Sequence, residues 1–339
     1  MSRVLVMMSG GVDSSVAAAV LRDEGHDVTG VTLKLWGGES DSGCCSVADV
    51  EDARRVAAQL GIPHYVFNFS DAFDADVVEP YVASYAAAET PNPCVDCNRT
   101  MKFGRALARA VQLGFEYVAT GHHARLVSTR HGPAIARGAD RAKDQSYVLY
   151  MLGQAELART MLPIGEMTKA EVRDRARALG LRTASKRESM DVCFITRGGR
   201  TAFLGARIPR RPGTVVDDAG SIVGRHEGID AFTIGQRRGL HVAVGERRYV
   251  VDIDRASATV VVGTREQLVR REVRLRDLVL LRTPPHPMTA QTRAHGEPVA
   301  ASLVGTVLRF AEPQPRIAPG QVVACYDGDV LLGGGVVAS

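Results

Sequence analysis

Over roughly its first two hundred residues the chain alternates short apolar runs with longer amphipathic stretches, the pattern of a parallel sheet covered by helices. The strand candidates are Arg3 to Met8, Asp27 to Leu35, His64 to Phe69 and Tyr117 to Thr120, each short and rich in Val, Leu, Tyr or Phe. Helices are expected between them. Ser46-Val47-Ala48-Asp49 resembles a capping box, with Asp in place of Glu or Gln, and opens a helix lasting to about Leu60, where Gly61-Ile62-Pro63 stops it. Thr168-Lys169-Ala170-Glu171 is a complete capping box ahead of a helix ending near Leu179, and Gly180 stands where a C-terminal glycine belongs.

After about Arg211 the texture changes to β-branched runs cut by glycine turns, and helical periodicity largely disappears. A chain of 339 residues exceeds what one core organises, since domains usually run to about 100 to 200 residues. The expected division is an α/β parallel-sheet unit over 1–206, a small central β-rich unit over 207–268 and a C-terminal β-barrel-like unit over 269–339. Hydrophobic residues at 45% and charged residues at 24% exclude a largely disordered chain. With no signal-peptide pattern and no apolar run of about 18 residues, the cytosol is the expected compartment and no membrane association is expected. In a reducing compartment the six cysteines read as buried, metal-binding or reactive thiols, not as a disulfide framework.

A net charge of +4 decides nothing by itself. Ile195 to Arg211 is more telling, because it carries Arg197, Arg200, Arg207, Arg210 and Arg211 without an acid; it reads equally as a solvated basic linker or as a phosphate-contacting strip.

Val4 to Ala17 runs strand, glycine turn, helix start, with Met7, Met8, Ser9, Gly10, Gly11, Val12, Asp13 and Ser14 at the turn. This is where a phosphate would sit: glycines let the backbone approach an anion, amides of the first helical turn point at it, and the helix dipole adds favourable charge. Ser9, Ser14 and Ser15 add hydroxyls. No Lys follows as a Walker motif requires, and the spacing is not GxGxxG. A carboxylate beside phosphate is repulsive unless a cation bridges them, so Asp13 is expected near Mg²⁺ or in positioning the loop. The plain alternative is an ordinary turn with Asp13 as a helix N-terminal acid. Farther on, Pro91-Asn92-Pro93-Cys94-Val95-Asp96-Cys97-Asn98 sets two thiols after a rigid proline segment and before a helix expected from about Asn98 to Leu113. A thiolate at Cys97 would be stabilised by that helix, as a nucleophile or a ligand. Cys193, in Val192-Cys193-Phe194-Ile195, reads by itself as a core cysteine. No role is expected for Cys44, Cys45 or Cys325 beyond that of buried thiols.

Ser9 to Ser15 resembles the PP-loop of ATP pyrophosphatases. Together with Asn92 to Asn98, Thr120-Gly121-His122-His123-Ala124-Arg125, Lys143-Asp144-Gln145-Ser146-Tyr147, Asp191 to Ile195, Phe232 to Leu240 and Pro319-Gly320-Gln321, it closely resembles the bacterial tRNA-specific 2-thiouridylases over nearly the whole chain. The resemblance implies ATP with Mg²⁺ as cofactors, adenylation of the C2 oxygen of the wobble uridine, and sulfur transfer from a persulfide on Cys193 supplied by a donor protein. Cys97 would be the nucleophile or reducing partner, ending in a Cys97 to Cys193 disulfide. It further implies Leu33 and Gly121 as nucleotide contacts, and Asn92, Pro93, Cys94, His122, Lys143, Asp144, Gln145 and Gln321 as residues facing the tRNA, whose target base must be turned out of its stack. Competing readings are an amidating PP-loop synthetase, a thiolase with an iron-sulfur cluster on Cys94, Cys97 and Cys193, and a non-catalytic tRNA-binding module.

Overall fold

The computed structural model describes residues 1–35, 46–186, 192–195, 199–240, 242 and 247–339; Cys44, Cys45, Asp191 and Arg197 lie outside the described residues. Its first unit contains β1 (Arg3–Met7), β2 (Asp27–Lys34), β3 (His64–Asn68), β4 (Tyr117–Ala119), the hairpin β5 (Ala124–Thr129) and β6 (Gly132–Arg137), and β7 (Thr160–Met161). Five of these form a parallel sheet in the order β3-β2-β1-β4-β7. Side chains along β1 alternate between its two faces. Val4, Val6 and Met8 enter one apolar cluster with Val16 and Ala19 of α1 (Val12–Asp23) and with Val56 of α2 (Val47–Leu60). Leu5 and Met7 enter another with Phe73, Tyr81 and Phe103. Both faces are thus covered, as a parallel sheet requires.

The caps read from sequence are in place. Ser46 Oγ accepts from Asp49 N while Asp49 reaches back to Ser46 N, and Gly61 ends α2 in a left-handed turn. Thr168 and Glu171 cap the helix Lys169–Ala178 in the same reciprocal way. One helix begins earlier than the sequence pattern predicts. The helical run at 93–112 starts at Pro93, with Asn92 Oδ1 accepting from Cys94 N at 3.1 Å, because proline's fixed φ and missing N–H suit the first helical position. Cys97 therefore sits a turn inside the helix, where a wider i to i+5 helical segment, Cys97–Ala106, begins.

The central unit is a four-stranded sheet of β8 (Gly213–Val216), β9 (Ile222–His226), β10 (Tyr249–Asp254) and β11 (Thr259–Gly263), in the order β10-β11-β8-β9. The last comprises β12 (Val269–Leu280), β13 (Met288–Gln291), β14 (Val299–Val304), β15 (Val307–Pro315), β16 (Val322–Asp327) and β17 (Val330–Val337). They pair in the order β12-β15-β14-β13-β16-β17, and β17 returns to pair with β12, so the sheet closes into a barrel without edges. Periodicity did not disclose one connection: the β5–β6 hairpin of the first unit joins this barrel through Ala136 opposite Val330 of β17.

Candidate functional site

β1 and β4 are neighbours whose connections leave in opposite directions, and the carboxyl ends at such a switch point are where open α/β sheets take their ligands. The glycine turn after β1 lies there. Gly10 has φ +72°, and a Cβ on it would lie 2.3 Å from the Asp49 carbonyl oxygen, so only glycine fits. No side chain caps α1 at Gly11, and the start of this helix keeps its positive end towards the turn. Two of the three expected hydroxyl donors are turned inward. Ser14 Oγ receives Ser9 N–H at 3.2 Å and donates to the Gly11 carbonyl, and Ser15 Oγ donates to the same carbonyl at 2.8 Å. Ser9 alone of the three is exposed.

Gly121, just past β4, packs on the loop so closely that a Cβ would lie 2.6 Å from Ser14 N. Leu33 is buried near the carboxyl end of β2, in the same apolar cluster as Met7, while Met8 and Val12 lie in the cluster across the sheet. The loop residues, Leu33 and Gly121 thus gather at one end of the sheet.

Two lysines that the sequence reading did not single out supply positive charge here. Lys169 Nζ contacts both Asp13 carboxylate oxygens, at 2.7 and 2.6 Å. Lys186 Nζ donates to the Gly10 carbonyl at 3.0 Å and pairs with Asp49 and Asp52 at 2.6 and 2.7 Å. Burial raises the Asp13 pKa, but the hydrogen bond from His123 and then Lys169 outweigh it, and the carboxyl titrates below its ordinary range. Lys169 directly follows the Thr168 cap, but only folding shows which way that helix points its first turn.

His122 and His123 fall between strands, and both are buried. His122, expected to face tRNA, turns inward: its Nδ1 lies 2.7 Å from Thr120 Oγ1 and its ring 6.2 Å from that of Phe103. Burial, then Lys102 and His123, hold its pKa well below the usual histidine range, so it is neutral. His123 points the other way, with Nε2 3.2 Å from Asp13 Oδ1.

Lys143, Asp144 and Gln145 stand at a tight turn, and their exposures differ. Lys143 is half-buried and Gln145 exposed, but Asp144 is buried with both oxygens engaged: Gly138 N and Ser146 N donate to Oδ1, Arg137 Nη1 and Ser146 Oγ to Oδ2. Arg137 also donates to Gln291 of β13 at 2.7 Å and lies 3.8 Å over the Tyr326 ring of β16. Asp144 is therefore a bolt between the first unit and the barrel, and the fold gives it a different task from the RNA contact expected of it. Gln321 has a similar place. Its Nε2 donates to the Thr90 carbonyl at 2.6 Å, tying the barrel to the segment that leads into Asn92, Pro93 and Cys94.

Pro93 is buried, whereas Cys94, Cys97 and Cys193 are half-buried. Cys97 and Cys193 pack against the same apolar cluster. Tyr81 links Cys94 to that region: its pKa is pushed up by burial, Tyr85 and Cys94, and its ring stands 5.3 Å from that of Phe194, beside Cys193. Segments a hundred residues apart in sequence are thus brought together (about 100, Cys94 to Cys193) around one aromatic patch. Cys325 is fully buried in β16, and burial pushes its thiol up to about 12. Among the described residues, no three His, Cys, Asp or Glu side chains converge as a metal ion would require. Of the basic run, Arg200 donates to Tyr85 Oη, Arg207 lies over the Phe203 ring and Arg211 bonds the Arg255 carbonyl, so much of its charge is engaged within the protein.

A family model described as the tRNA methyl transferase HUP domain matches residues 2–197, one described as the tRNA methyl transferase PRC-barrel domain matches 201–264, and one described as the aminomethyltransferase beta-barrel domain matches 270–337. The tRNA-specific 2-thiouridylase MnmA of Roseiflexus sp. (strain RS-1) is 48% identical over 371 residues, covering 100% of both chains. That of Moorella thermoacetica (strain ATCC 39073 / JCM 9320) is 44% identical over 353 residues, covering 99% of each. A solved 4-thiouridine synthetase–RNA complex with bound ATP is 17% identical with a TM-score of 0.39, covering 61% of this chain and 46% of that one. A glycine loop at the mouth of a parallel sheet, a cysteine-bearing helix on the same core and full-length relatives at these identities lead to one assignment: the chain belongs to the tRNA-specific 2-thiouridylase family.

Proposed function

We propose that this chain uses ATP to replace the C2 oxygen of the wobble uridine of tRNA by sulfur. The observation that carries the reading is the pairing, in a chain of this family, of a glycine loop backed by Lys169 and Lys186 with cysteines on two segments that meet on one apolar cluster. A phosphate-binding loop suits an ATP-consuming activation, and thiols suit the sulfur that follows; methyl transfer, named in the family-model descriptions, would call on neither.

In this reading ATP lies along the loop with adenine towards Leu33 and Gly121. The uridine C2 oxygen attacks the α-phosphate, pyrophosphate leaves, and the base carries AMP as a leaving group. Lys169 and Lys186 neutralise phosphate charge, as fixed cations do best in a site that excludes water. Asp13 offers Mg²⁺ no free oxygen in this arrangement, because Lys169 takes both and His123 shares one, so Lys169 stands where a cation bridging Asp13 and phosphate is expected. The terminal sulfur of a persulfide on Cys193, loaded by a donor protein, attacks C2 and expels AMP. Cys97 thiolate then attacks Cys193 Sγ, so the electrons of the broken S–S bond stay with the sulfur on the base and a Cys97–Cys193 disulfide remains for an external thiol to reduce. The iron-sulfur alternative finds less support, because Cys94, Cys97 and Cys193 do not converge among the described residues.

The test is transfer of radioactive sulfur to unmodified tRNA with ATP and a persulfide donor. Labelled 2-thiouridine is expected with the wild type and neither with Cys97→Ser nor with Cys193→Ser. Transfer that survives either substitution would overturn the relay while leaving the substrate assignment in place.

A further inference from the structure

Gln145 is exposed, and yet it is joined to the loop through a single intermediary. Its Oε1 accepts the His123 backbone N–H at 3.0 Å, and its own N–H donates to the His123 carbonyl at 2.9 Å. This reciprocal pair fixes the backbone of a residue that is only 3% exposed, and the His123 ring reaches from there to Asp13 Oδ1. Nε2 faces the carboxylate as a donor, while Nδ1 is buried without a hydrogen-bond partner among the described residues, so the ring's one polar contact is the one that holds Asp13. Asp13 is in turn held by Lys169, and the backbone N–H of Lys169 donates to Asp140, whose other oxygen caps the turn leading to Gln145. The loop and the exposed turn are consequently tied along two routes, one through His123 and one through Asp140.

We propose that Gln145 and His123 form a relay that couples occupancy of the exposed 143–145 turn to the position of Asp13, with His123 as a positioning residue. The inference rests on the reading that ATP occupies the loop and tRNA the turn. An RNA group that takes up the Gln145 carboxamide changes the clamp on the His123 backbone, and the ring carries that change to the carboxylate beside the phosphates. Such coupling is a free energy shared between the two sites, and it therefore shows as non-additivity between the two residues.

The experiment is a double-substitution cycle in the full chain, reading tRNA-dependent AMP formation over a range of ATP concentrations for wild type, Gln145→Ala, His123→Phe and the pair. Phe keeps the ring volume and removes the donor; His123→Gln, which keeps an N–H, serves in its place if the ring replacement fails to fold, and is expected to restore part of the rate if it does not. Gln145→Ala should lower kcat by about threefold to tenfold, the net weight of one neutral hydrogen bond, with a smaller change in the KM for ATP, and should cost almost nothing further once His123 is Phe. An equal loss from Gln145→Ala in both backgrounds would overturn the relay, and so would a His123→Phe enzyme indistinguishable from wild type. A wild-type chain that binds tRNA but makes no AMP would refute the assignment of ATP chemistry instead, so the two failures are told apart.

Discussion

Replacing Arg137 by Met would test whether the barrel is bolted to the first unit as the structure indicates. Arg137 and Asp144 are 8% and 7% exposed, and their ion pair is 3.0 Å long. Removing the guanidinium leaves the Asp144 carboxylate buried with three neutral donors, the N–H groups of Gly138 and Ser146 and the Ser146 hydroxyl. Breaking a buried pair by deleting one partner costs about 3–5 kcal/mol. The three remaining donors place this case at the lower end, about 3 kcal/mol, with some further loss from the Tyr326 face over which Arg137 lies. Such a loss would lower the midpoint of a small domain by roughly 12–24 °C. Calorimetry of the full chain, with hydrogen exchange to assign the transition to β13, β16 and β17, is the assay. The companion Arg137→Met with Asp144→Asn removes both charges and keeps a carbonyl acceptor for the two backbone donors, and it should recover most of the loss. A single Arg137→Met shift of only a degree or two, or a double variant no better than the single, would refute the claim that a desolvated charge pair holds this junction.

Three further outcomes are expected. Gly121→Ala places a methyl group 2.6 Å from Ser14 N, so the loop must shift; ATP affinity measured by calorimetric titration should fall at least about tenfold with the fold intact by circular dichroism. Lys169→Met should reduce tRNA-dependent AMP formation by about 10² to 10³, the usual effect of losing a fixed charge at a developing anion. His122 is held neutral by burial, so its folded pKa lies below the ordinary 6.5 and the unfolded chain binds the extra proton first; stability is complete above pH 6.5 and falls by up to about 1.4 kcal/mol per unit as pH drops below it. His122→Gln should flatten that part of the denaturant-midpoint profile, and an unchanged slope would remove His122 as its source.

Local chemistry accounts for what could be read before folding. The strands of the parallel sheet, the Ser46 and Thr168 caps and the Gly61 and Gly180 stops each depend on residues within a few positions of one another, and the structure places them within a residue or two of the expected bounds. Sequence periodicity starts this helix more than a turn late, near Asn98, whereas proline's fixed φ makes Pro93 the first helical residue behind the Asn92 cap. The glycine loop was legible for the same local reason, since strand, turn and helix start are adjacent in the chain.

What the tertiary structure alone decided is direction and company. Nothing in Lys143-Asp144-Gln145 tells that the middle residue is buried under a barrel formed by residues far along the chain while the next one stays exposed. Likewise, two adjacent histidines differ because one meets Thr120 and Phe103 and the other meets Asp13. Lys169 and Lys186 reach the loop only because helices packed on the sheet bring residues more than about 150 positions apart within hydrogen-bond range. A sequence specifies which groups are present and what local geometry they favour. Which of them face each other across a core depends on burying the apolar faces of all the elements at once, and that is settled only when the whole chain has folded.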